Sequence, residues 1–167
     1  MEYAAALMVA YLALGSNLGD RQGEIRRAVA ALTRHGRVEA VSPIYETLPE
    51  AGAAQPKYLN AVVRIRTSLS ARDLLAECLD IERAQGRVRP PGGERAPRTI
   101  DIDVLLCDSE VIDEPGFRVP HPRLLGRPFV RIPLADVALP GLRHPVVGEA
   151  LDRCVPDPSV ALWATGR

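Results

Sequence analysis

Apolar and polar positions along this chain alternate between two rhythms. Residues 7–14 form an almost unbroken apolar run, which reads as a buried strand, and Gly15-Ser16-Asn17 ends it with a turn-forming cluster. Over residues 20–34 the period lengthens. Ile25, Ala28, Val29 and Leu32 recur at helical spacing, Asn17 or Asp20 can cap the start, and Gly36 offers a stop. Residues 38–47 return to a strand pattern, although Pro43 has no N–H for a ladder and confines part of it to an edge or a bulge. A Pro-, Ala- and Gly-rich loop covers residues 48–56, long enough to suggest a functional role. Residues 58–67 set Ala61, Val63 and Ile65 against Arg64 and Arg66, as a half-exposed strand would.

A second helical stretch follows. Ser70 with Asp73 makes a capping start, Leu74, Leu75, Cys78, Leu79 and Ile81 repeat along one side to Gln85, and Gly86 closes the helix. Glu82 sits in the last turn, where the helix dipole disfavours an acid, so it calls for a partner. A basic loop over residues 87–96 leads into an aliphatic strand at residues 97–106, and Val111 and Ile112 suggest a further short strand. Residues 129–137 and 146–154 pattern as short helices or turns. The expected fold is therefore α+β, a ferredoxin-like βαββαβ core with an antiparallel sheet, helices on one face, extra short strands and C-terminal helices.

Composition narrows the function. With 167 residues and 47% hydrophobic content, a single domain over residues 1–167 is expected. Formal net charge is zero, which argues against a nucleic-acid or membrane partner. Local charge differs, because Lys57 is the only lysine and arginine supplies every other basic position. Arginine's planar fork suits phosphate, although base composition of the genome is an equally simple source of the bias. Cys78, Cys107 and Cys154 have no metal or disulfide spacing, so a reduced, cytoplasmic setting is expected. The apolar run at residues 4–14 is too short to span a bilayer. His35, His121 and His144 are too dispersed to form a local metal cluster.

The chemistry concentrates at residues 97–106. On a strand, Asp101 and Asp103 share one face at a spacing of about 6.6 Å, with Ile100, Ile102 and Val104 on the other. Two such carboxylates repel by roughly 2 kcal/mol at an effective dielectric near 20, so they need cations. Mg²⁺ suits them: it takes one or two carboxylates and completes its shell with water and phosphate oxygens. A solvated edge strand is the plain alternative. Arg87, Arg89, Arg95 and Arg98, all converging on the start of this strand, favour the phosphate reading. No P-loop sequence is present, so any nucleotide is held without one.

Several segments together carry a resemblance. They are residues 13–20 (Ala-Leu-Gly-Ser-Asn-Leu-Gly-Asp), residues 55–61 (Gln-Pro-Lys-Tyr-Leu-Asn-Ala), residues 82–87 (Glu-Arg-Ala-Gln-Gly-Arg), residues 97–106, and residues 119–123 (Val-Pro-His-Pro-Arg) followed by Arg127 and Phe129. In this order and spacing the chain resembles the 6-hydroxymethyl-7,8-dihydropterin pyrophosphokinases of folate biosynthesis over about residues 11–138. The resemblance implies transfer of the diphosphate of ATP to the pterin hydroxymethyl group, with release of AMP, by a monomer acting on small molecules. It implies two Mg²⁺ ions on Asp101 and Asp103, with Arg87 and Arg98 beside these acids as catalytic residues. ATP would meet Glu82, Arg87, Arg89, Arg98, Val104, His121 and Arg127, and the pterin would meet Thr47, Pro49, Tyr58, Asn60 and Phe129.

Elementary chemistry agrees with these roles. A flat heterocycle binds between aromatic faces, and an amide offers its edge a donor and an acceptor together. Asn60, between Leu59 and Ala61, needs a partner in any case, since a buried amide costs a few kcal/mol unpaired. Ala96 stands where the family often places Trp-Gly ahead of Pro-Arg, so an aromatic lid contact is missing. Two rival readings are a palm-type nucleotidyl transferase or cyclase, whose acidic pair belongs on an earlier strand, and an RNA-binding ferredoxin-like module, which wants aromatic central strands and a basic face.

Overall fold

The computed structural model describes residues 5–49, 55–88, 91 and 96–163. In chain order the elements are β1 (Met8–Ser16), α1 (Arg21–Leu32), β2 (Arg37–Val41), β3 (Tyr45–Thr47), β4 (Tyr58–Thr67), α2 (Ala71–Ala84), β5 (Asp101–Cys107), β6 (Ile112–Glu114), β7 (Phe117–Val119), α3 (Pro128–Val137) and β8 (Val160–Leu162). The main sheet runs β5-β1-β4-β3-β8, with β2 also pairing β4, and its neighbours are antiparallel. With β2 and β3 taken as one interrupted strand, the first four positions are the ferredoxin-like order that the sequence pattern predicts.

The helices start and stop as their sequences dictate. Asp20, not Asn17, caps α1, its Oδ1 accepting from the Gly23 N–H at 3.1 Å. Ser70 Oγ accepts from Asp73 N–H at 3.1 Å at the head of α2, and Gly86 takes φ +81° past its end. Pro128, at the first position of α3, needs no N–H there.

Several expectations are corrected. The break around Pro43 is wider than a bulge: residues 42–44 separate β2 from β3, and each pairs with its own half of β4. β4 is buried almost throughout rather than half-exposed, because Arg64 turns inward to Glu39 and the Val137 carbonyl. Of the helix-or-turn alternatives for residues 146–154 the turn holds at 146–147 and no helix forms; His144 Nδ1 accepts from Val146 and Val147 N–H, and Arg143 bridges to Ala150. The β5 strand begins at Asp101 rather than at Pro97.

The two helices of the βαββαβ core share one face, as expected, and the additional C-terminal helix takes the other. α1 and α2 cover the side of the sheet that presents Leu12, Leu14, Val63 and Ile65. α3 covers the opposite side, where Tyr11, Val62, Leu105 and Leu106 meet Val130, Leu134 and Val137. A register shift between Tyr11 and Leu12 bulges β5, which is how the consecutive Leu105 and Leu106 both reach the α3 side. α3 is short and covers only part of that face. The remainder, where Gly15 lies between Asn60 and Asp101, is left for the site.

Candidate active site

On β5, Ile102 and Val104 are buried among the helices, while Asp101 and Asp103 project from the other face. Beside them, Ala13 and Gly15 of β1 pair with Asp103 and Asp101, and Asn60 of β4 pairs with Gly15. These small residues make the floor of a cavity of about 300 Å³. A side chain at position 15 would not fit easily: a Cβ there would lie 3.3 Å from Asn60 Oδ1 and 3.5 Å from the Tyr58 ring. The floor is therefore glycine because the walls lean over it.

The acidic end is organised from α2. Glu82 is only 2% exposed, and its Oε1 accepts from the Ile102 N–H at 2.9 Å and from Arg87 Nη1 at 3.0 Å. Its position against the helix dipole is thus explained by two donors. Arg87 also donates to Asp101 Oδ1, and Arg98 Nη1 donates to Asp101 Oδ2 at 3.2 Å. Asp103 is pushed up to about 7, first by burial and then by the charge of Asp101, with Arg127 and Arg87 opposing the shift. Its side chain nevertheless keeps 36% exposure at the cavity.

His121 follows β7, and its backbone N–H donates to the Leu105 carbonyl at 2.9 Å, which holds it against β5. Burial, then Arg127 and Arg123, bring its imidazole down to about 4. The ring is neutral near pH 7. Since Nδ1 accepts from Arg123 N–H at 3.1 Å, the proton resides on Nε2, which lies 3.9 Å from Asp103.

The opposite end of the cavity is aromatic. Tyr58 opens β4, Phe129 sits in the first turn of α3 with the Arg127 guanidinium 5.5 Å from its ring centroid, and both line the cavity. Asn60 finds the partner its burial requires: Nδ2 donates to Thr47 Oγ1 at 2.7 Å. Thr47 and Pro49 complete this wall.

Of the residues singled out from sequence, Thr47, Pro49, Tyr58, Asn60, Arg98, Asp101, Asp103, Arg127 and Phe129 therefore share one cavity. Glu82, Arg87 and His121 reach it through the two aspartates. Val104 is not brought there; its side chain lies in the helix-side core, on the reverse of the strand. Arg89 and Arg95 lie outside the described residues. Sequence reasoning passed over the tie made by Asn17, whose backbone and side chain both bond to Arg98. Its place in a turn cluster gave only a capping signal. Gln55 and Arg123, which belong to the segments that carry the resemblance but were given no role there, also line the cavity.

The donor set can be tested against a metal. Among the described residues there is no cluster of three or more His, Cys, Asp or Glu side chains able to hold an ion by themselves. Two carboxylates that repel each other beside a polar cavity instead fit Mg²⁺, which takes few protein oxygens and completes its shell from water and phosphate.

Comparison with known proteins places the chain in a family. The 7,8-dihydro-6-hydroxymethylpterin-pyrophosphokinase family model matches residues 11–139 and ends before β8. A Bacillus subtilis 2-amino-4-hydroxy-6-hydroxymethyldihydropteridine pyrophosphokinase is 45% identical over 131 residues, 77% of each chain. The Pseudomonas aeruginosa protein of the same name is 43% identical over 137 residues, 81% of this chain and 83% of its own. Among solved structures, Plasmodium falciparum HPPK-DHPS with pteroate superposes with a TM-score of 0.67 at 15% identity, over 91% of this chain. That likeness concerns the fold alone, and this chain spans 42% of the solved one. By the family match and these relatives, the chain belongs to the 7,8-dihydro-6-hydroxymethylpterin-pyrophosphokinase family.

Proposed function

We propose that the cavity between the β5 aspartates and the Tyr58–Phe129 walls is where the family's reaction runs in this chain. As a member of the family the protein is an ATP-dependent diphosphotransferase. It moves the terminal diphosphate of ATP to the hydroxymethyl group of 6-hydroxymethyl-7,8-dihydropterin and releases AMP, a step in folate biosynthesis. The substrate hydroxyl oxygen forms a bond to the β-phosphorus and gives up its proton to solvent as the bond from that phosphorus to the α,β-bridging oxygen breaks, and AMP leaves with the bridging oxygen.

The observation that carries the assignment is the meeting of opposites in one cavity: two carboxylates with arginines at one end, two rings with a buried amide at the other. Asp101 and Asp103 would hold two Mg²⁺ ions, whose chemistry is neutralisation of charge on the phosphate oxygens and alignment of the attacking and leaving oxygens. Arg87, Arg98 and Arg127 bind the same oxygens from the protein side. Neutral His121 offers its Nε2 proton as a further donor without adding charge. Tyr58 and Phe129 bound the pterin faces, and Asn60, with Nδ2 oriented by Thr47, meets its edge. Glu82 does not touch substrate in this scheme; it holds Arg87 and the start of β5 where they are.

The test is product analysis. Adding the pterin to enzyme, ATP and Mg²⁺ should produce AMP with no free pyrophosphate, and chelation should stop it. Release of pyrophosphate instead would transfer the chain to the palm-type reading, and AMP production indifferent to Mg²⁺ would remove the role of the two aspartates.

A further inference from the structure

We propose that Asn17, Arg21 and Trp163 form a clasp that fixes the aromatic end of the cavity, making the C-terminal strand β8 a determinant of pterin affinity. The proposal rests on the reading of that cavity given above. None of the three would touch substrate; they are positioning residues.

The clasp is built from ties that converge on the two stems leading into Thr47 and Tyr58, which face each other across the β3–β4 ladder. Arg21, the first residue of α1, donates from Nη1 to the Lys57 carbonyl at 2.9 Å and to Glu46 Oε2 at 3.0 Å. Glu46 and Lys57 are the immediate neighbours of that facing pair, so one guanidinium closes a ring directly behind it. Asn17 is 1% exposed and uses its whole amide: Oδ1 accepts from Arg98 N–H at 2.9 Å, while Nδ2 donates to Gln55 Oε1 and the Pro56 carbonyl, both at 3.3 Å. The stem entering Tyr58 is thereby tied to the segment whose Arg98 binds Asp101. The pterin end and the phosphate end share one fixed point.

Trp163 completes the arrangement. β8 pairs with β3 at Tyr45↔Leu162 and Thr47↔Val160, and the backbone N–H of Trp163 donates to the Ile44 carbonyl at 2.8 Å. This places the indole against Arg21, whose guanidinium carbon lies 5.1 Å from the ring centroid. A stacked guanidinium keeps its plane and loses fewer orientations on bonding, which is the condition for reaching two acceptors at once. Charge alone would not require this, since Lys57 Nζ also approaches Glu46, at 3.9 Å. The bond to the Lys57 carbonyl is what arginine adds. Because β8 lies beyond residues 11–139, this support comes from a part of the chain that the family match does not span.

The full-length chain and its Arg21→Ala, Trp163→Ala and Trp163→Phe variants are titrated with 6-hydroxymethyl-7,8-dihydropterin in the presence of Mg²⁺ and a non-hydrolysable ATP analogue, with KM for ATP measured in parallel. Arg21→Ala and Trp163→Ala should weaken pterin binding by about tenfold, as loss of preorganisation does, while KM for ATP stays within about twofold. Trp163→Phe, which keeps a ring over the guanidinium, should recover most of the loss. Pterin binding within about twofold of wild type in both alanine variants overturns the clasp, as does an equal loss for both substrates or a phenylalanine no better than alanine. Wild-type protein that turns over ATP but binds no pterin at this cavity overturns the underlying reading, and the clasp with it.

Discussion

Removing the Glu82 carboxylate is the most informative single perturbation, because this side chain serves structure first and chemistry through it. In Glu82→Ala the bonds to the Ile102 N–H and to Arg87 disappear from a place without solvent. The Ile102 N–H, buried along the edge strand β5, loses its acceptor, at about 1–3 kcal/mol for an orphaned buried donor. Arg87, with 8% of its side chain exposed, loses one of its two carboxylate partners and keeps Asp101. Breaking a buried charged contact costs about 3–5 kcal/mol when the remaining charge is uncompensated, and less here because Asp101 remains. Together the loss should be about 3–5 kcal/mol, a large share of the roughly 5–15 kcal/mol that holds an ordinary domain together. Glu82→Gln keeps an acceptor for the N–H and forfeits only the charge, so about 1–2 kcal/mol is expected. Urea unfolding followed by far-UV circular dichroism measures both, the midpoint moving at constant slope. An alanine variant within about 1 kcal/mol of wild type, or a glutamine variant as unstable as the alanine, would refute the account of Glu82 as the anchor of β5.

Asp103→Asn should separate stability from activity. A carboxyl whose folded pKa is raised to about 7 binds its proton more tightly in the native than in the unfolded state. It therefore subtracts stability as pH rises from about 4 towards 7, and the asparagine variant should melt higher than metal-free wild type at pH 8 and alike near pH 4, by scanning calorimetry. AMP formation should fall by about 10²–10³, as for loss of one preorganised electrostatic contact. Asn60→Ala should raise KM for the pterin at least about tenfold and leave KM for ATP within about twofold in initial-rate assays, since its partner Thr47 belongs to the same end of the cavity. Thiol titration of the native protein should find Cys154 alone: burial pushes Cys78 and Cys107 up to about 12, and both open only on unfolding.

Much of the fold was legible because period and punctuation agree. Helical spacing of Ile25, Ala28 and Leu32, the Ser70 cap and the Gly86 stop locate α1 and α2 without tertiary information. The Asp101–Asp103 pair announced itself by putting charge into an aliphatic strand. What stayed hidden depends on contacts distant in sequence. Thr99 and Ile100 are β-branched residues that favour a strand, but the bonds between Arg98 and Asn17 hold this segment outside the ladder. Residues 146–154 carry apolar positions at helical spacing, yet His144 and the bridge to Ala150 fold them otherwise. The three residues of β8 gain strand form only from β3, and Val104 was placed at the site by resemblance although alternation puts it on the reverse face. Alternation itself holds along β4, with Val63 and Ile65 on one face and Arg64 on the other; what only tertiary contacts supply is the cover that α3 and Glu39 put over Arg64.

The interruption around Pro43 gives the sheet two panels on a common central strand. β4 joins them, with β2 flanking its distal half and β3 flanking the half that enters the cavity. Since β2 and β3 share no ladder with each other, each half of β4 takes its own flanking strand, and the half at the cavity is fastened separately, by β8 beyond β3 and by the Arg21 bond to Glu46. The corner that frames Thr47 and Tyr58 thus carries its own fastening, independent of the register that β2 sets farther along β4.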